Sequence, residues 1–150
     1  MYIERKQDMS VITWLKTLFV AAPFVTIRDG FPEEALTLPT IAVETDNIEL
    51  TPFELGDRYR LETRSWYIDI FAANKAQRDE FGYKIMHELE NPIPVYDYDE
   101  GFPVGSNPTQ IGSLLPELIQ MRIIKVIPEL TEALYYRSAV IFTTEYSQLV

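Results

Sequence analysis

Residues 59–73 constrain the fold more than any other stretch, because large side chains occupy both sets of alternating positions. An extended strand points successive side chains to opposite faces of a sheet. One face would carry Trp66, Ile68 and Ile70, and the other would carry Tyr67, Asp69 and Phe71. Bulky groups on both faces predict a long strand that is at least partly covered on each side.

Four further stretches favour strands around this one. Residues 40–50 are typical of a strand with a polar end, and the turn-forming sequence TPFELGDR after it predicts a hairpin with residues 59–73. Pro94 within residues 93–99 favours a short strand at the edge of a sheet. Alternating apolar residues predict two final strands, at about 117–127 and about 135–146.

Two segments have helical periodicity. Apolar side chains recur every three or four positions in residues 11–22, which predicts an amphipathic helix whose start Ser10 or Asp8 caps. Asn74 is a favourable N-cap residue and predicts a second helix over residues 75–90.

The order of these elements defines a fold class. Glycine and proline in residues 26–39 and 100–116 predict loops at both places. The remaining elements follow one another as α-β-β-α-β-β-β, which is typical of an α+β fold with a mainly antiparallel sheet and two packed helices. A chain of 150 residues without repeats or linkers predicts one domain, residues 1–150.

Charge and residue counts argue against several kinds of site. Asp and Glu outnumber Lys and Arg by 23 to 13, and the formal net charge of −10 opposes binding to nucleic acid. The absence of cysteine excludes disulfides and thiolate metal sites, and the single histidine, His87, argues against zinc. The sequence predicts neither a membrane span nor a signal peptide.

No catalytic signature is recognisable, so we expect neither an enzyme nor a cofactor. The sequence contains no Gly-x-Ser-x-Gly elbow and no Walker-type phosphate loop. The best candidate for a metal site is the segment DYDEG, in which Asp97, Asp99 and Glu100 bring carboxylates together. The remaining ligands of a calcium loop are missing at the required spacing.

Interaction surfaces are better supported, because aromatic residues make up 13% of the chain and protein interfaces are enriched in them. The predicted contact loop comprises Tyr96, Asp97, Tyr98, Asp99, Glu100 and Phe102. A second predicted contact comprises Arg58, Arg60 and Arg64, whose even spacing puts them on one strand face, where they would pair with acids of a neighbouring subunit. The alternatives are a loop that only caps the core and arginines that pair across strands or are solvated.

Three segments together resemble a known family. The runs RSWYIDIFAANKAQRDEFGYKI, IPVYDYDEGFP and LYYRSAVIFTTEY are similar to the tail-terminator or neck proteins, which join head to tail in tailed bacteriophages. The resemblance implies a small α+β protein without a cofactor that forms a ring, usually a hexamer. Such a ring caps the tail tube and joins it to the head connector or completion proteins. DNA passes through the lumen without specific binding, and the protein is part of the virion after assembly in the host cytoplasm.

Other functions remain open at this point. Another ring of the same joint, such as a head-completion, stopper or adaptor protein, would have a similar sequence pattern. An acidic module that mimics DNA would bind a basic partner with steep salt dependence. A metal-dependent enzyme would use Asp97, Asp99 and Glu100.

Overall fold

A six-stranded sheet with two helices packed on one face makes up the described part of the chain. The computed structural model describes residues 1–31, 37–52, 60–99, 109–124 and 136–149. In chain order the elements are α1 (Ile3–Leu18), β1 (Thr26–Asp29), β2 (Thr40–Pro52), β3 (Arg60–Ala72), α2 (Lys75–Glu88), β4 (Ile93–Tyr96), β5 (Gln110–Ile124) and β6 (Tyr136–Gln148).

The sheet is mixed but mostly antiparallel, as expected for the predicted α+β class. Its strands lie in the order β1-β2-β3-β6-β5-β4. β1 runs parallel to β2, and every other neighbouring pair is antiparallel. The predicted hairpin between β2 and β3 is confirmed, and β4 lies at a sheet edge as Pro94 indicated.

The predicted element order omits one strand. Residues 26–39 were expected to form a loop, yet β1 pairs with the first four residues of β2, so the order is α-β-β-β-α-β-β-β. A strand of four residues has too little alternation to be recognised, and its hydrogen-bond partners are distant in sequence. The stretch 100–116 was also expected to be irregular, whereas β5 already begins at Gln110.

The first helix is longer than predicted. It begins at Ile3, and Ser10 and Asp8 lie inside it instead of capping it. It ends at Leu18, four residues before the predicted end at residue 22. The first two turns are polar, and their side chains reach partners outside the helix, so the apolar period alone does not reveal them. The second helix begins where expected, because the Asn74 side chain accepts a hydrogen bond of 2.8 Å from the backbone N–H of Gln77.

One face of the sheet, which we call the helix face, forms the main core with both helices. Trp66, Ile68 and Ile70 on β3 are fully buried there, as the alternation predicted. Val11 and Leu15 of α1 and Ile85 of α2 belong to the same cluster of buried residues. Trp66 stacks on Phe142 of the adjacent strand with the ring planes 14° apart, and its indole N–H donates to Thr144 over 2.8 Å.

The opposite side of the sheet, which we call the open face, carries Tyr67, Asp69 and Phe71. Phe71 is buried, and the Phe31 ring packs edge-on against it at 5.6 Å. Asp69 is also buried, and Arg137 donates two hydrogen bonds to its carboxylate, over 2.9 and 2.6 Å. This bidentate pairing compensates for the loss of water around the charge.

Candidate functional site

The described half of the predicted contact loop is anchored to α1 of its own chain. The Tyr98 side chain is buried, and its hydroxyl lies 2.9 Å from the hydroxyl of Thr13. The backbone N–H of Tyr96 donates to the Ser10 hydroxyl over 3.1 Å. These contacts cap one end of the core, and whether the segment also contacts a partner stays a prediction. Glu100 and Phe102 lie outside the described residues.

The carboxylates that suggested a metal site are held by two cations of the chain. Lys6 Nζ lies 3.0 Å from Asp97 and 3.1 Å from Asp99, and the N-terminal amine lies 3.3 Å from Asp99. The hydrogen bonds from Lys6 and from the amine lower the pKa of Asp99. Within the described ranges no group of three or more metal-binding side chains is found. Asp97 and Asp99 therefore fasten the start of α1 to the end of β4.

Arg64 lies in the interior of the subunit and not on the surface that its spacing with Arg58 and Arg60 indicated. Its side chain is only 2% exposed, and its guanidinium stacks on Trp66 at 4.1 Å. Arg58 lies outside the described residues, and for Arg60 only its place at the start of β3 is described.

The guanidinium of Arg64 connects three elements. One terminal nitrogen donates to the backbone oxygen of Glu4 over 2.9 Å and to the side-chain oxygen of Gln7 over 3.1 Å. The other donates to Asp8 of α1 and to Thr45 of β2, over 2.7 Å in each case. The acid that pairs with Arg64 therefore comes from its own chain, and the result is a fixed junction between α1, β2 and β3.

Glu62 lies beside this junction and is held in an unusual ionisation state. Burial, then a hydrogen bond to Glu4 and repulsion from its carboxylate, raise the pKa of Glu62 to about 7, and the charge of Arg64 only partly opposes this. Carboxylate-to-carboxylate contacts of this kind favour one shared proton.

The exposed half of the open face is acidic. Opposed residues on neighbouring strands form rows across the sheet. From the row of Tyr67 to the row of Thr63, every described charged side chain on the open face is a carboxylate. These carboxylates belong to Glu44, Glu49, Glu117 and Glu145. Glu44 also accepts a hydrogen bond of 2.7 Å from the backbone N–H of Phe31. Sequence reasoning anticipated an acidic surface from the net charge but not its position, because β2, β3, β5 and β6 must pair before these residues become neighbours.

Two strand edges extend beyond their outer neighbours and expose apolar side chains. β1 pairs with only the first four residues of β2, which leaves the β2 edge, Glu44–Pro52, where Leu50 is 59% exposed. β4 pairs with β5 only up to Leu114, which leaves the β5 edge, Pro116–Ile124, where Ile123 is 50% exposed. Sequence reasoning missed these edges, since the alternation identifies a strand without showing which strand will lie beside it.

Leu118 is the most unusual residue on the β5 edge. It belongs to an irregularity between Glu117 and Gln120, has a positive φ of 51°, and is 81% exposed. The left-handed conformation costs roughly 1–2 kcal/mol for a residue with a side chain. An exposed leucine in a strained conformation does little for the folded subunit, so it marks a position to consider for contact with a partner.

A shallow apolar groove lies where the end of α1 meets α2. Its volume is about 430 Å³, and it is lined by Phe19, Ala22, Glu80, Phe81, Tyr83, Lys84 and His87. His87 is mostly exposed, and its Nδ1 atom lies 3.8 Å from the carboxylate of Glu90, three residues later in the chain. The groove contains no arrangement of donors and acceptors that indicates a reaction.

The chain matches no protein-family model and no curated protein. Among the described residues, neither helix is both long and apolar enough to cross a membrane.

We expect replacement of Arg64 by methionine to destabilise the fold by about 3–5 kcal/mol, because removing one member of a buried ion pair leaves the other unpaired. The substitution keeps the apolar volume over Trp66 but leaves Asp8 and the Glu4 carbonyl without their donor. Chemical denaturation measures the free energy of unfolding. Lys75→Met, at an exposed position at the start of α2, is the control and should change it by less than about 0.5 kcal/mol.

Replacement of Glu62 by glutamine should change the pH dependence of stability. Because its folded pKa of about 7 exceeds the ordinary value of 4.5, protonated Glu62 stabilises the fold at low pH. That contribution is lost as the pH rises from 4.5 through 7. The variant should therefore gain stability over the wild type across this interval, with a constant difference above it. Parallel curves for the wild type and Glu62→Gln would contradict the assignment, and Glu49→Gln serves as the control.

Proposed function

We propose that this chain is a structural subunit of a ring at the head–tail joint of a tailed bacteriophage, a tail-terminator or neck protein. The ring, a hexamer in this proposal, caps the tail tube and contacts the head connector or completion proteins. DNA passes through its lumen without specific binding. The subunit carries out no reaction and needs no cofactor. Its place is the virion, after assembly in the host cytoplasm.

The acidic half of the open face is the observation that carries the proposal. The helices occupy the other side of the sheet, so a ring that places the open face inward would line its lumen with Glu44, Glu49, Glu117 and Glu145. Phosphates repel such a surface, and DNA would slide past it without being held.

The two exposed strand edges are a second observation that supports assembly into a ring. The β2 edge and the β5 edge lie at the two opposite lateral ends of the strand order, and they differ in sequence. A contact between two different patches of identical subunits repeats head to tail, and it closes into a ring when the rotation per subunit allows. Another ring of the same joint, such as a stopper, head-completion or adaptor protein, would use the same features.

An anionic mimic of DNA is the second candidate, since the same carboxylates could face a basic partner. It would act as a single subunit or a dimer, and its binding would weaken steeply with salt. The two candidates therefore differ in the number of subunits and in where the acidic face points.

Native mass spectrometry and electron microscopy of the purified protein test the proposal. We expect closed rings of one fixed subunit number, close to six, and the same protein in purified virions at the joint between head and tail. A protein that remains monomeric or dimeric at all accessible concentrations and is absent from virions would contradict the ring. Tight, salt-sensitive binding to a basic protein by such a monomer would favour the DNA mimic.

The orientation of the open face has its own test. Glu49→Lys combined with Glu145→Lys raises the net charge of this face by four units per subunit, and rings of that variant should retain duplex DNA in a gel-shift assay. Glu80→Lys combined with Glu88→Lys changes the net charge equally on the exposed side of α2 and is the matched control. Equal retention by both variants would place the open face outside the lumen.

A further inference from the structure

We propose that neighbouring subunits join by strand addition, with the β2 edge of one subunit pairing antiparallel with the β5 edge of the next. The next subunit is displaced by four residues along the strands, which we call the stagger. This inference rests on the proposed ring and specifies how the ring closes. It uses only backbone groups and side chains that are described in the structure.

At each lateral edge of the sheet a long strand extends past its short outer neighbour, and the two edges have complementary shapes. At one lateral edge β1 lies beside Thr40–Val43, and no other described strand pairs with the rest of β2 there. At the other lateral edge β4 lies beside the residues of β5 up to Leu114, and no other described strand pairs with the rest of β5 there. Across the sheet Thr40 is level with Ile124, so β1 and β4 lie at opposite ends of the sheet. Each lateral edge therefore has a short outer strand at one end, β1 or β4, and a recess beside the remaining length of β2 or β5.

β1 sets the minimum stagger. Thr40, Phe71, Arg137 and Ile124 form one row of opposed residues within the subunit. Without displacement, Ile124 of the next subunit would lie opposite Thr40, in the space that β1 already occupies. The next subunit must move by at least four residues, so that its Ile124 lies opposite Glu44, the first residue of the β2 edge that has no β1 partner. In that position its β5 ends next to Asp29, the last residue of β1.

The alternation of side chains restricts the stagger further. An odd displacement would place the helices of successive subunits on opposite sides of the joined sheet, because a shift of one residue turns every side chain to the other face. Only an even displacement keeps all helices on one side. Four is the smallest even value that β1 permits, and larger values leave part of each edge unpaired.

The stagger of four residues brings matching side chains together. On the helix face, Ile48 and Leu50 come opposite Met121 and the Leu118–Ile119 irregularity of the neighbouring subunit. Together with Ile123, which comes opposite Thr45, these positions supply the exposed apolar surface of both edges, and the pairing covers it. On the open face, Asn47 comes opposite Arg122 of the neighbouring subunit, whose guanidinium then lies among acids of the β2 edge.

The same stagger fits a closed cylinder. Four residues correspond to about 13 Å along the strands, and the four strands β2, β3, β6 and β5 span about 19 Å across them. This ratio corresponds to a strand tilt of about 35°, close to the range of about 35–45° in closed barrels. Six subunits would enclose a backbone circle about 45 Å across, which admits a DNA double helix after side chains are counted.

The edges are protected against unspecific pairing. Each has an irregularity, between Thr45 and Asn47 on β2 and between Glu117 and Gln120 on β5. Such irregularities interrupt pairing with a regular strand and are a common defence of exposed edges. Within one subunit the two irregularities lie at the same height along the strands. The stagger of four residues therefore separates them along the strands where two subunits meet. An edge of this shape pairs with its own partner better than with other strands.

Cysteine cross-linking tests the stagger directly, because the chain contains no cysteine. In the variant Asn47→Cys with Arg122→Cys, the two thiols lie directly opposite across the junction, with Cβ atoms about 4.5–5.5 Å apart, and a small adjustment allows a disulfide. Within one subunit β3 and β6 separate them. Oxidation should therefore yield a ladder of covalent oligomers that ends at the ring size. Each single variant is a control and should remain uncross-linked.

Asn47→Cys with Glu117→Cys is the matched alternative. These two positions would lie opposite each other without stagger, and with the stagger of four they are about 13 Å apart. A ladder from Asn47–Arg122 and none from Asn47–Glu117 supports the junction. Rings without the Asn47–Arg122 cross-link, or with the Asn47–Glu117 cross-link, overturn it while the proposed ring stands. Cross-linked rings that are absent from virions would instead contradict the proposed function.

The substitution Leu118→Asn should affect the stability of the subunit and the assembly of the ring in opposite directions. Asparagine adopts the left-handed conformation readily, so the variant subunit should unfold at a higher denaturant concentration than the wild type. The junction loses its most exposed apolar side chain, so the concentration needed for half-assembly should rise at least tenfold. Leu115→Asn, on the same strand outside the junction, should leave assembly unchanged. Unchanged assembly of Leu118→Asn would overturn this role of the β5 edge.

Discussion

Strand β3 is the element on which the rest of the structure depends, because it pairs along most of its length with β2 on one side and β6 on the other. Its even-numbered residues face the helices and its odd-numbered residues face the opposite side. The strand therefore separates an apolar layer from a polar layer by geometry alone. A change of one residue in its register would reverse both layers.

Arg64 shows how the apolar helix face accommodates a buried cation. The side chain occupies a helix-face position next to Trp66, where an unpaired cation would be costly. The polar first turns of α1 supply Asp8, Gln7 and a backbone carbonyl, so the helix is held by directed hydrogen bonds at one end and by apolar packing at the other. Such bonds fix the angle of the helix more strictly than apolar contacts do.

Alternation and helical periodicity predicted most of the elements, and Asn74 marked the start of α2 correctly. The candidate surfaces were harder to predict. Tyr98 and Arg64 looked like exposed contact residues, but Tyr98 caps the core and Arg64 connects α1 to the sheet. A side chain's spacing along a strand gives its face, whereas its exposure depends on which distant segment covers that face.

The sequence by itself determined the local periods, the helix cap at Asn74 and the excess of carboxylates, because each depends on near neighbours or on composition alone. Only the tertiary structure decided that β1 would pair with β2, that Glu49 and Glu145 would share a face, and that two strand edges would extend past their neighbours. The physical reason is that strand pairing joins residues far apart in sequence through uniform backbone hydrogen bonds, and these carry little information about which partner they will meet.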